Sequence, residues 1–479
     1  MCWLVPVGMT MTSAANVTKS KGLISRLLAE QPAGYALNQA FYADPDVYAH
    51  DVERIFMNEW LYVGQASRIA EAGDYFVFEI AGESVIIVRG DDGEVRALVN
   101  VCRHRGSRVC FDTGGNTKWF SCPYHGWTYG LDGELASARQ MPKDFDKSSN
   151  GLKQIHVHVF HGMILINFAH EPASPADAHR ELDDKLAPFQ LERTKVAYSE
   201  TYRIDGNWKL AVENYRECYH CAPSHPEFSL SHSIEKPWAR VSKLMEKMRP
   251  RSADAGVSVE DVTCYGGLKD SAGLAYSYDR YPLYKGYLTG SESGEPVAPL
   301  MGTMKSFDGG ASDLQLGMLS YFLFYSDHGV VYRFTPIDVQ TTDCEIIWLV
   351  RDDAEEGKDY DVDRMKWLWD VTTIEDKLII EKNQEGVNSR FYEPGPYASG
   401  RLQYPAHFGQ DGVVAVNRAQ GPGGQHRIET GVLERHGLGG LADEFNIQCF
   451  VGGALLRHGH ELSRRLEADH RRHAVAVER

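Results

Sequence analysis

Two short motifs of cysteine and histidine constrain the fold of this chain more than any other feature. Cys102 and His104 are separated by one residue, and after seventeen further residues Cys122 and His125 follow with two residues between them. Two thiolates and two imidazoles on two short loops can hold one zinc ion. They can also hold a sulfide-bridged pair of irons, with both cysteines on one iron and both histidines on the other. The ligand types alone leave both possibilities open.

The arrangement of these residues favours the iron pair. Each motif places one cysteine and one histidine on a single tight loop, and Gly106 and Gly126 allow the backbone to approach closely. Structural zinc modules more often pair two cysteines on one loop with two histidines on another. Segments 100–106 and 122–127 resemble the Rieske motif of ring-hydroxylating and related oxygenases. The resemblance implies that a [2Fe-2S] cluster is bound by Cys102, His104, Cys122 and His125.

The surrounding pattern predicts an all-β domain followed by an α+β domain. Short runs of β-branched and aromatic residues at 75–80, 84–89 and 95–99 are separated by turn sequences, which is typical of antiparallel strands. Amphipathic spacing predicts a helix over 45–60 in front of them. We expect an N-terminal arm over 1–44 and a Rieske domain with its leading helix over 45–170.

Helical periodicity returns in the second half of the chain. Helices are predicted over 175–189, 207–220 and 361–384, and strands over 321–325, 330–334 and 345–350. The family resemblance implies a helix-grip catalytic domain, in which an antiparallel sheet packs with long helices. We assign it to 171–397, and the remaining 398–479 to a divergent C-terminal tail whose composition would make a poor core.

A second metal site is indicated near the middle of the chain. If the helix predicted there extends through Glu217 and His220, these residues share one face and the carboxylate lies beside the imidazole. Pro223 and Pro226 bias the residues before them towards extended backbone, so the helix would end and His225 could turn back to the same metal. Two imidazoles and a carboxylate leave positions open for dioxygen and substrate, as in non-haem Fe(II) oxygenases.

Two other interpretations of this region remain open. His220 and His225 could be ordinary half-buried histidines. A zinc site could instead combine them with Cys218 and Cys221, although on a helix these thiols would face away from Glu217 and His220.

The resemblance assigns further roles. Segment 375–387 is similar to the distal carboxylate helix of these oxygenases, which implies Asp376 as the third ligand of a mononuclear Fe(II). Asp370, Glu375 and Glu381 are the acidic alternatives nearby.

Electron transfer in this family runs between neighbouring subunits of a homotrimer through a bridging carboxylate. The resemblance therefore places Glu217 as a catalytic bridge between His220 of one subunit and His125 of the next. Most ring-hydroxylating members carry aspartate there, so glutamate is a departure that changes reach more than acidity. The chain has no Gly-rich dinucleotide fingerprint and no plant-type ferredoxin spacing, so we expect a separate flavin-containing reductase fed by NAD(P)H.

Segments 213–221, 388–389 and 392–397 are similar to glycine betaine monooxygenases and the related stachydrine and carnitine enzymes. This implies O2-dependent C–H hydroxylation, and we hypothesise N-demethylation of a small quaternary ammonium compound with release of formaldehyde. Such a cation needs a cage of aromatic rings, but the sequence singles out none. The alternative enzyme is an aromatic ring-hydroxylating dioxygenase. The non-enzyme alternative is a Rieske electron-transfer protein, which would lack His220, His225 and Asp376 and usually has a membrane anchor.

Composition limits the partners and the compartment. The chain has 50 basic and 66 acidic residues, and a net charge of −16 repels phosphate backbones and anionic membrane surfaces. No stretch approaches the run of about 18 apolar residues that spans a bilayer. Nine scattered cysteines do not resemble a secreted disulfide framework, so we expect a cytoplasmic enzyme.

Overall fold

The computed structural model describes residues 14–32, 34–234, 236–257, 259, 269–271 and 274–396. The expectations for the first residues of the chain and for the tail over 398–479 lie outside these residues. The described helices are α1 (Ala14–Glu30), α2 (Ala40–Ala43), α3 (Pro45–Asp51), α4 (Ala176–Leu186), α5 (Trp208–Arg216), α6 (Cys221–Ser224), α7 (Pro226–Ser231), α8 (Trp238–Ala255) and α9 (Val362–Val387).

The first part of the chain forms short helices that lead into a sheet. Helix α3 begins at Pro45 because the Asp44 side chain caps it, accepting a hydrogen bond from the backbone N–H of Asp46 at 2.8 Å. The helix predicted over 45–60 is shorter than expected, since α3 passes into one π-helical turn over Val52–Phe56.

The predicted all-β domain is a seven-stranded antiparallel sheet with a small three-stranded sheet beside it. Its strands are β1 (Leu61–Gln65), β2 (Asp74–Ile80), β3 (Glu83–Arg89), β4 (Val95–Val99), β5 (Gly114–Asn116), β6 (Phe120–Ser121), β7 (Thr128–Tyr129), β8 (Leu135–Ser137), β9 (Gln154–Phe160) and β10 (Met163–Asn167). The order is β1-β10-β9-β4-β3-β2-β5 in the larger sheet and β6-β7-β8 in the smaller one. The first Cys/His motif lies on the loop between β4 and β5, and the second lies on the loop between β6 and β7 of the smaller sheet.

The second domain is built on another seven-stranded antiparallel sheet, of order β11-β17-β16-β15-β14-β13-β12. Its strands are β11 (Thr194–Ile204), β12 (Lys269–Ser271), β13 (Leu274–Pro282), β14 (Gly310–Leu316), β15 (Ser320–Phe324), β16 (Gly329–Asp338) and β17 (Thr341–Arg351). Helix α9 follows the last strand and is capped by Asp361, whose carboxylate accepts from the N–H of Arg364 at 3.0 Å. The expected α+β class, with an antiparallel sheet and long helices in the second domain, is confirmed.

Helix α5 ends four residues before the predicted end at His220. It ends at Arg216, and Glu217 has extended backbone angles of φ −111° and ψ 120°. The Glu217 carboxylate accepts a hydrogen bond from the N–H of Tyr219, which holds a turn in place of a further helical turn. The expectation that Glu217 and His220 share a helix face is therefore wrong, and the two side chains meet across this turn instead.

Pro223 and Pro226 have different effects on the backbone of the residue that precedes each of them. Pro223 lies in the first turn of α6, where backbone N–H groups have no helical partner, so the residue before it is helical rather than extended as we expected. The residue before Pro226, His225, is non-helical as predicted, with φ −125° and ψ 76°.

One hydrophobic core joins the two domains. It contains Trp60, Tyr62 and Leu165 from the first sheet, Leu182 and Leu186 from α4, and several strand residues of the second sheet. The Cys/His loops pack in a separate cluster of buried residues, which includes Cys102, Cys122 and Trp127. Within the described residues, no helix combines the length and the apolar character needed to cross a membrane.

Candidate metal centres

The two Cys/His motifs form a pair of matching turns. The N–H of Gly106 donates to the carbonyl of Cys102, and the N–H of Gly126 donates to the carbonyl of Cys122, each at 2.9 Å. Both glycines have left-handed backbone angles, with φ 76° and φ 72°, which residues with a side chain rarely adopt. The sequence pattern therefore folds into two equivalent loops that each present one cysteine and one histidine.

The thiols of these loops point inwards and the imidazoles outwards. Cys102 and Cys122 are 3% and 2% exposed, whereas His104 and His125 lie at the surface. The two imidazole rings are 4.6 Å apart between centroids, and Trp127 stacks on His104 at 4.9 Å. A cluster held here would have a buried thiolate side and a histidine side that faces solvent.

The donor geometry fits an iron pair better than one zinc. Of these four described side chains, no three have ligand atoms that all lie within 4.8 Å of one another, as a single tetrahedral ion would require. The Tyr129 hydroxyl lies 3.3 Å from Cys102 Sγ and accepts a hydrogen bond from the N–H of Arg103 at 3.0 Å. Hydrogen bonds to cluster ligands set the reduction potential of iron–sulfur centres, so Tyr129 would tune this one. The sequence pattern did not single out this tyrosine.

The second constellation converges on one carboxylate oxygen. His225 Nε2 lies 2.9 Å and His220 Nε2 lies 3.3 Å from the same Oδ1 of Asp376, which belongs to α9. The ligand atoms of the three residues all lie within 4.8 Å of one another. Two imidazoles and one carboxylate thus meet around a point where a divalent ion fits.

Each imidazole of this set is held from behind by a second carboxylate. His220 Nδ1 lies 2.7 Å from Glu217 Oε2, and His225 Nδ1 lies 2.8 Å from Glu375 Oε2. A carboxylate on Nδ1 fixes the ring so that Nε2 faces the metal, and it raises the basicity of the ligand. Sequence reasoning considered Glu375 only as an alternative to Asp376, and its contact with His225 was not foreseen.

The charges in this site call for a cation. Burial disfavours the imidazolium of His220, but hydrogen bonds to Asp376 and Glu217 outweigh burial and raise its pKa to about 10. The pKa of His225 is also raised by Asp376 and then by Glu375, against the effect of burial. The pKa of Asp376 is lowered, since its contacts with both histidines outweigh its burial. Protons on the imidazoles supply here the positive charge that a divalent ion would supply.

The other acidic residues of this helix have different partners. Asp370 accepts a hydrogen bond from the Tyr202 hydroxyl and lies 3.3 Å from Lys366 Nζ. Glu381 pairs with Lys377. Of the four acidic candidates in this helix, Asp376 is the one whose carboxylate meets both histidines.

The cysteines of this region do not complete a zinc site. Cys221 Sγ lies 4.0 Å from His220 Nε2, so the expectation that its thiol faces away from His220 is wrong, because α5 ends before these residues. The group of close ligand atoms nevertheless contains only His220, His225 and Asp376. The pKa of Cys221 is raised, first by its contact with Cys218 and then by burial, which disfavours the thiolate that binds metal.

Comparisons with known proteins agree with both sites. Residues 59–159 match the Rieske [2Fe-2S] domain, and residues 191–409 match the ring hydroxylating alpha subunit (catalytic domain). The chain is 38% identical over 374 residues to the glycine betaine monooxygenase oxygenase subunit of Chromohalobacter salexigens, which covers 78% of this chain and 84% of that protein. It is 28% identical over 385 residues to the carnitine monooxygenase oxygenase subunit of Escherichia coli, covering 79% and 91%.

A solved structure supports the fold. The structure of a quaternary ammonium Rieske monooxygenase superposes with a TM-score of 0.63 at 23% identity, and the match covers 81% of this chain and 97% of that chain.

The chain belongs to the Rieske non-haem iron oxygenases, and the resemblance read from its motifs is confirmed. It is the terminal oxygenase of a multicomponent system, an oxidoreductase with a Rieske [2Fe-2S] domain and a mononuclear-iron catalytic domain. Such a subunit receives electrons from a reductase and acts on a small molecule. The interpretation as a Rieske electron-transfer protein is thereby excluded.

Proposed function

We propose that this oxygenase demethylates a small quaternary ammonium compound such as glycine betaine or stachydrine. One N-methyl C–H bond, O2, two electrons and two protons give an N–CH2OH group and water. The N–CH2OH group then loses formaldehyde and a proton and leaves the demethylated amine. The observation that carries the proposal is the 38% identity to a glycine betaine monooxygenase oxygenase subunit over 84% of that protein.

We assign the metal ligands from the geometry above. Cys102, His104, Cys122 and His125 would hold the cluster, and His220, His225 and Asp376 would hold the mononuclear iron. When bound, the iron provides open positions for dioxygen and the cluster provides electrons one at a time. Glu217 and Glu375 keep the Nδ1 protons of His220 and His225 in place, so that both Nε2 atoms stay free to bind.

Three aromatic rings lie together on and against α9, the helix that carries Asp376, and could surround a quaternary ammonium ion. Trp369, Thr373 and Asp376 are spaced four and three residues apart on α9 and so share one face. The Trp369 ring lies 5.8 Å from Phe228 and 5.8 Å from Tyr332, whose hydroxyl is 2.8 Å from Thr373 Oγ1. We assign these three rings to the cation cage, because a quaternary nitrogen has no N–H and is held by ring faces.

The subunit arrangement is proposed to be a homotrimer in which Glu217 bridges the centres of neighbouring subunits. The histidine face of the Rieske loops supports this, since His104 and His125 are exposed and Tyr124, at 56% exposure, covers His125 at 3.9 Å between ring centroids. Glu217 is itself 23% exposed and already holds His220. A surface pair of imidazoles and a partly exposed carboxylate are what a route between subunits needs.

A cytoplasmic location is proposed as well. The six cysteines of the described residues are all free, which fits a reducing compartment, where disulfides are rare. The domain limits of 1–44, 45–170, 171–397 and 398–479 also remain proposals.

The function is tested with the purified oxygenase, a surrogate reductase and NADH. Glycine betaine, stachydrine, carnitine and benzoate are supplied in turn, and formaldehyde and NADH consumption are measured. We expect formaldehyde in proportion to the NADH consumed with one of the betaines. Turnover of benzoate together with no formaldehyde from any betaine would replace the proposal by ring hydroxylation.

A further inference from the structure

A third group of metal-binding side chains lies outside both iron centres. The ligand atoms of His161, His179 and Asp183 all lie within 4.8 Å of one another, and we call this group the hairpin–helix cluster. His161 Nε2 lies 3.0 Å from Asp183 Oδ1, and His179 Nε2 lies 3.9 Å from the same oxygen. Two imidazole nitrogens therefore lie near one carboxylate oxygen.

One ligand of the cluster sits on a rigid turn. His161 and Gly162 connect β9 to β10 and have φ 47° and φ 74°, the left-handed pair of a tight hairpin turn. A side chain at Gly162 would meet Gln65 Nε2 at 2.5 Å and the Cα of Glu192 at 3.0 Å, so the turn packs directly on its neighbours. The N–H of Ala66 also donates to the carbonyl of Gly162 at 2.7 Å. The His161 side chain is therefore presented from a fixed backbone.

The other two ligands belong to α4. His179 and Asp183 are four residues apart and share one face of this helix. The His179 ring packs at 4.7 Å from Phe160 and 5.5 Å from His158, whose Nε2 is buried with no hydrogen-bond partner among the described residues.

Two further features distinguish this cluster from an ordinary hydrogen-bonded pair. His161 Nδ1 lies 3.7 Å from Glu192 Oε2, an ion-pair distance, so a second carboxylate lies near the other nitrogen of this imidazole. The Asp183 side chain is 59% exposed, which leaves an open side for water.

We propose that His161, His179 and Asp183 bind a divalent ion of the zinc type, with water completing a tetrahedral site. The site joins the β9–β10 hairpin of the Rieske domain to the first helix that follows it. Its ligands are separate from those assigned to both iron centres, and its role is to stabilise this junction.

The test is zinc binding by the iron-loaded full-length oxygenase. Zn2+ is titrated in competition with a chromophoric chelator, while bound iron and the visible spectrum of the cluster are followed. We expect one additional zinc per chain with no loss of iron and a higher melting temperature. His161→Asn, which keeps a residue that tolerates the left-handed turn, and His179→Gln should each weaken zinc binding by at least about tenfold. The zinc-dependent rise in melting temperature should disappear in both variants.

The matched control is His156→Gln on the same hairpin. His156 is exposed and its Nε2 contacts the carbonyl oxygen of His170 at 3.2 Å, so this variant should bind zinc like the wild type. Asp376→Asn should also keep the additional zinc, because it alters only the mononuclear site. The proposal is overturned by wild-type zinc affinity in His161→Asn and His179→Gln, by loss of the zinc in Asp376→Asn, or by no zinc uptake beyond iron in the wild type.

Discussion

The carboxylate behind His225 gives the sharpest test of how the mononuclear site is held. Glu375→Gln keeps the size of the side chain and one acceptor oxygen, but it removes the negative charge 2.8 Å from His225 Nδ1. A hydrogen bond to a charged group contributes about 1.5–3 kcal/mol, equivalent to about 10- to 150-fold in an equilibrium constant. Because the amide oxygen can still accept, we expect iron affinity to fall towards the lower end, about tenfold.

Proton competition gives the effect a pH dependence. Asp376 and Glu375 raise the pKa of His225, so in the iron-free wild type the imidazole retains a proton that iron must displace. Removing the Glu375 charge lowers the pKa of His225, so protons compete less with iron for this imidazole. At a pH where His225 is protonated, this weaker competition offsets part of the loss of iron affinity. The deficit of Glu375→Gln should therefore be smaller at pH 6.5 than at pH 8.5.

Iron is titrated anaerobically into the iron-depleted site against a chelator, and the electron paramagnetic resonance signal of the nitric oxide adduct reports the geometry. The reduced Rieske signal of the same sample is the internal standard. Glu385→Gln is the matched control, because Glu385 lies on the same helix but pairs with Lys382 at the surface, at 2.6 Å. If the Glu375 and Glu385 variants bind iron equally well and give the same adduct signal, the orienting role of Glu375 is wrong.

Three further predictions concern His220, Glu217 and the buried acid Glu213. His220→Ala should reduce formaldehyde formation to background while the visible spectrum of the Rieske cluster stays unchanged, and loss of both would mean that the sites are misassigned. Glu217→Gln should slow re-oxidation of the reduced cluster in the presence of substrate far more than it lowers iron content, as rapid mixing and metal analysis would show; equal losses would indicate a purely structural role. Burial raises the pKa of Glu213 to about 7 from 4.5, so the folded wild type keeps a proton that the unfolded chain loses, and its stability falls as pH rises through this window. Relative to wild type, the Glu213→Gln variant should therefore become more stable as the pH rises from 4.5 to 8, by at most roughly 3 kcal/mol. The melting temperatures of both proteins are measured across this range. A difference that does not change with pH would contradict a buried, protonated Glu213.

The sequence predicts the regular elements well where one local pattern decides the structure. The strands expected over 84–89 and 95–99 appear as Glu83–Arg89 and Val95–Val99, since short apolar runs bounded by turn residues leave little choice. The helix expected over 361–384 appears as Val362–Val387, with Asp361 as its cap. The Cys/His loops are equally local, because each ligand pair and its glycine lie within a few residues.

Contacts between distant segments are harder to predict. Glu375 and His225 are 150 residues apart, and nothing in a helical pattern indicates which of two adjacent carboxylates turns to a metal and which to an imidazole. The end of α5 was missed for a different reason. Residues 207–220 contain no proline or glycine, so the periodicity predicts a helix through the whole segment. In the structure the helix ends where the Glu217 carboxylate accepts a hydrogen bond from the N–H of Tyr219.

This early helix end gives a physical reason for glutamate at the position where most ring-hydroxylating relatives carry aspartate. Both Glu217 oxygens are engaged, Oε1 with the N–H of Tyr219 and Oε2 with His220 Nδ1 at 2.7 Å. Since the backbone is already extended at Glu217, the carboxylate must reach across the turn to serve both groups. Aspartate is shorter by one carbon–carbon bond, about 1.5 Å, so from the same backbone its carboxylate would reach less far towards His220. The length of glutamate therefore lets one carboxylate hold the turn at Tyr219 and orient His220 at the same time.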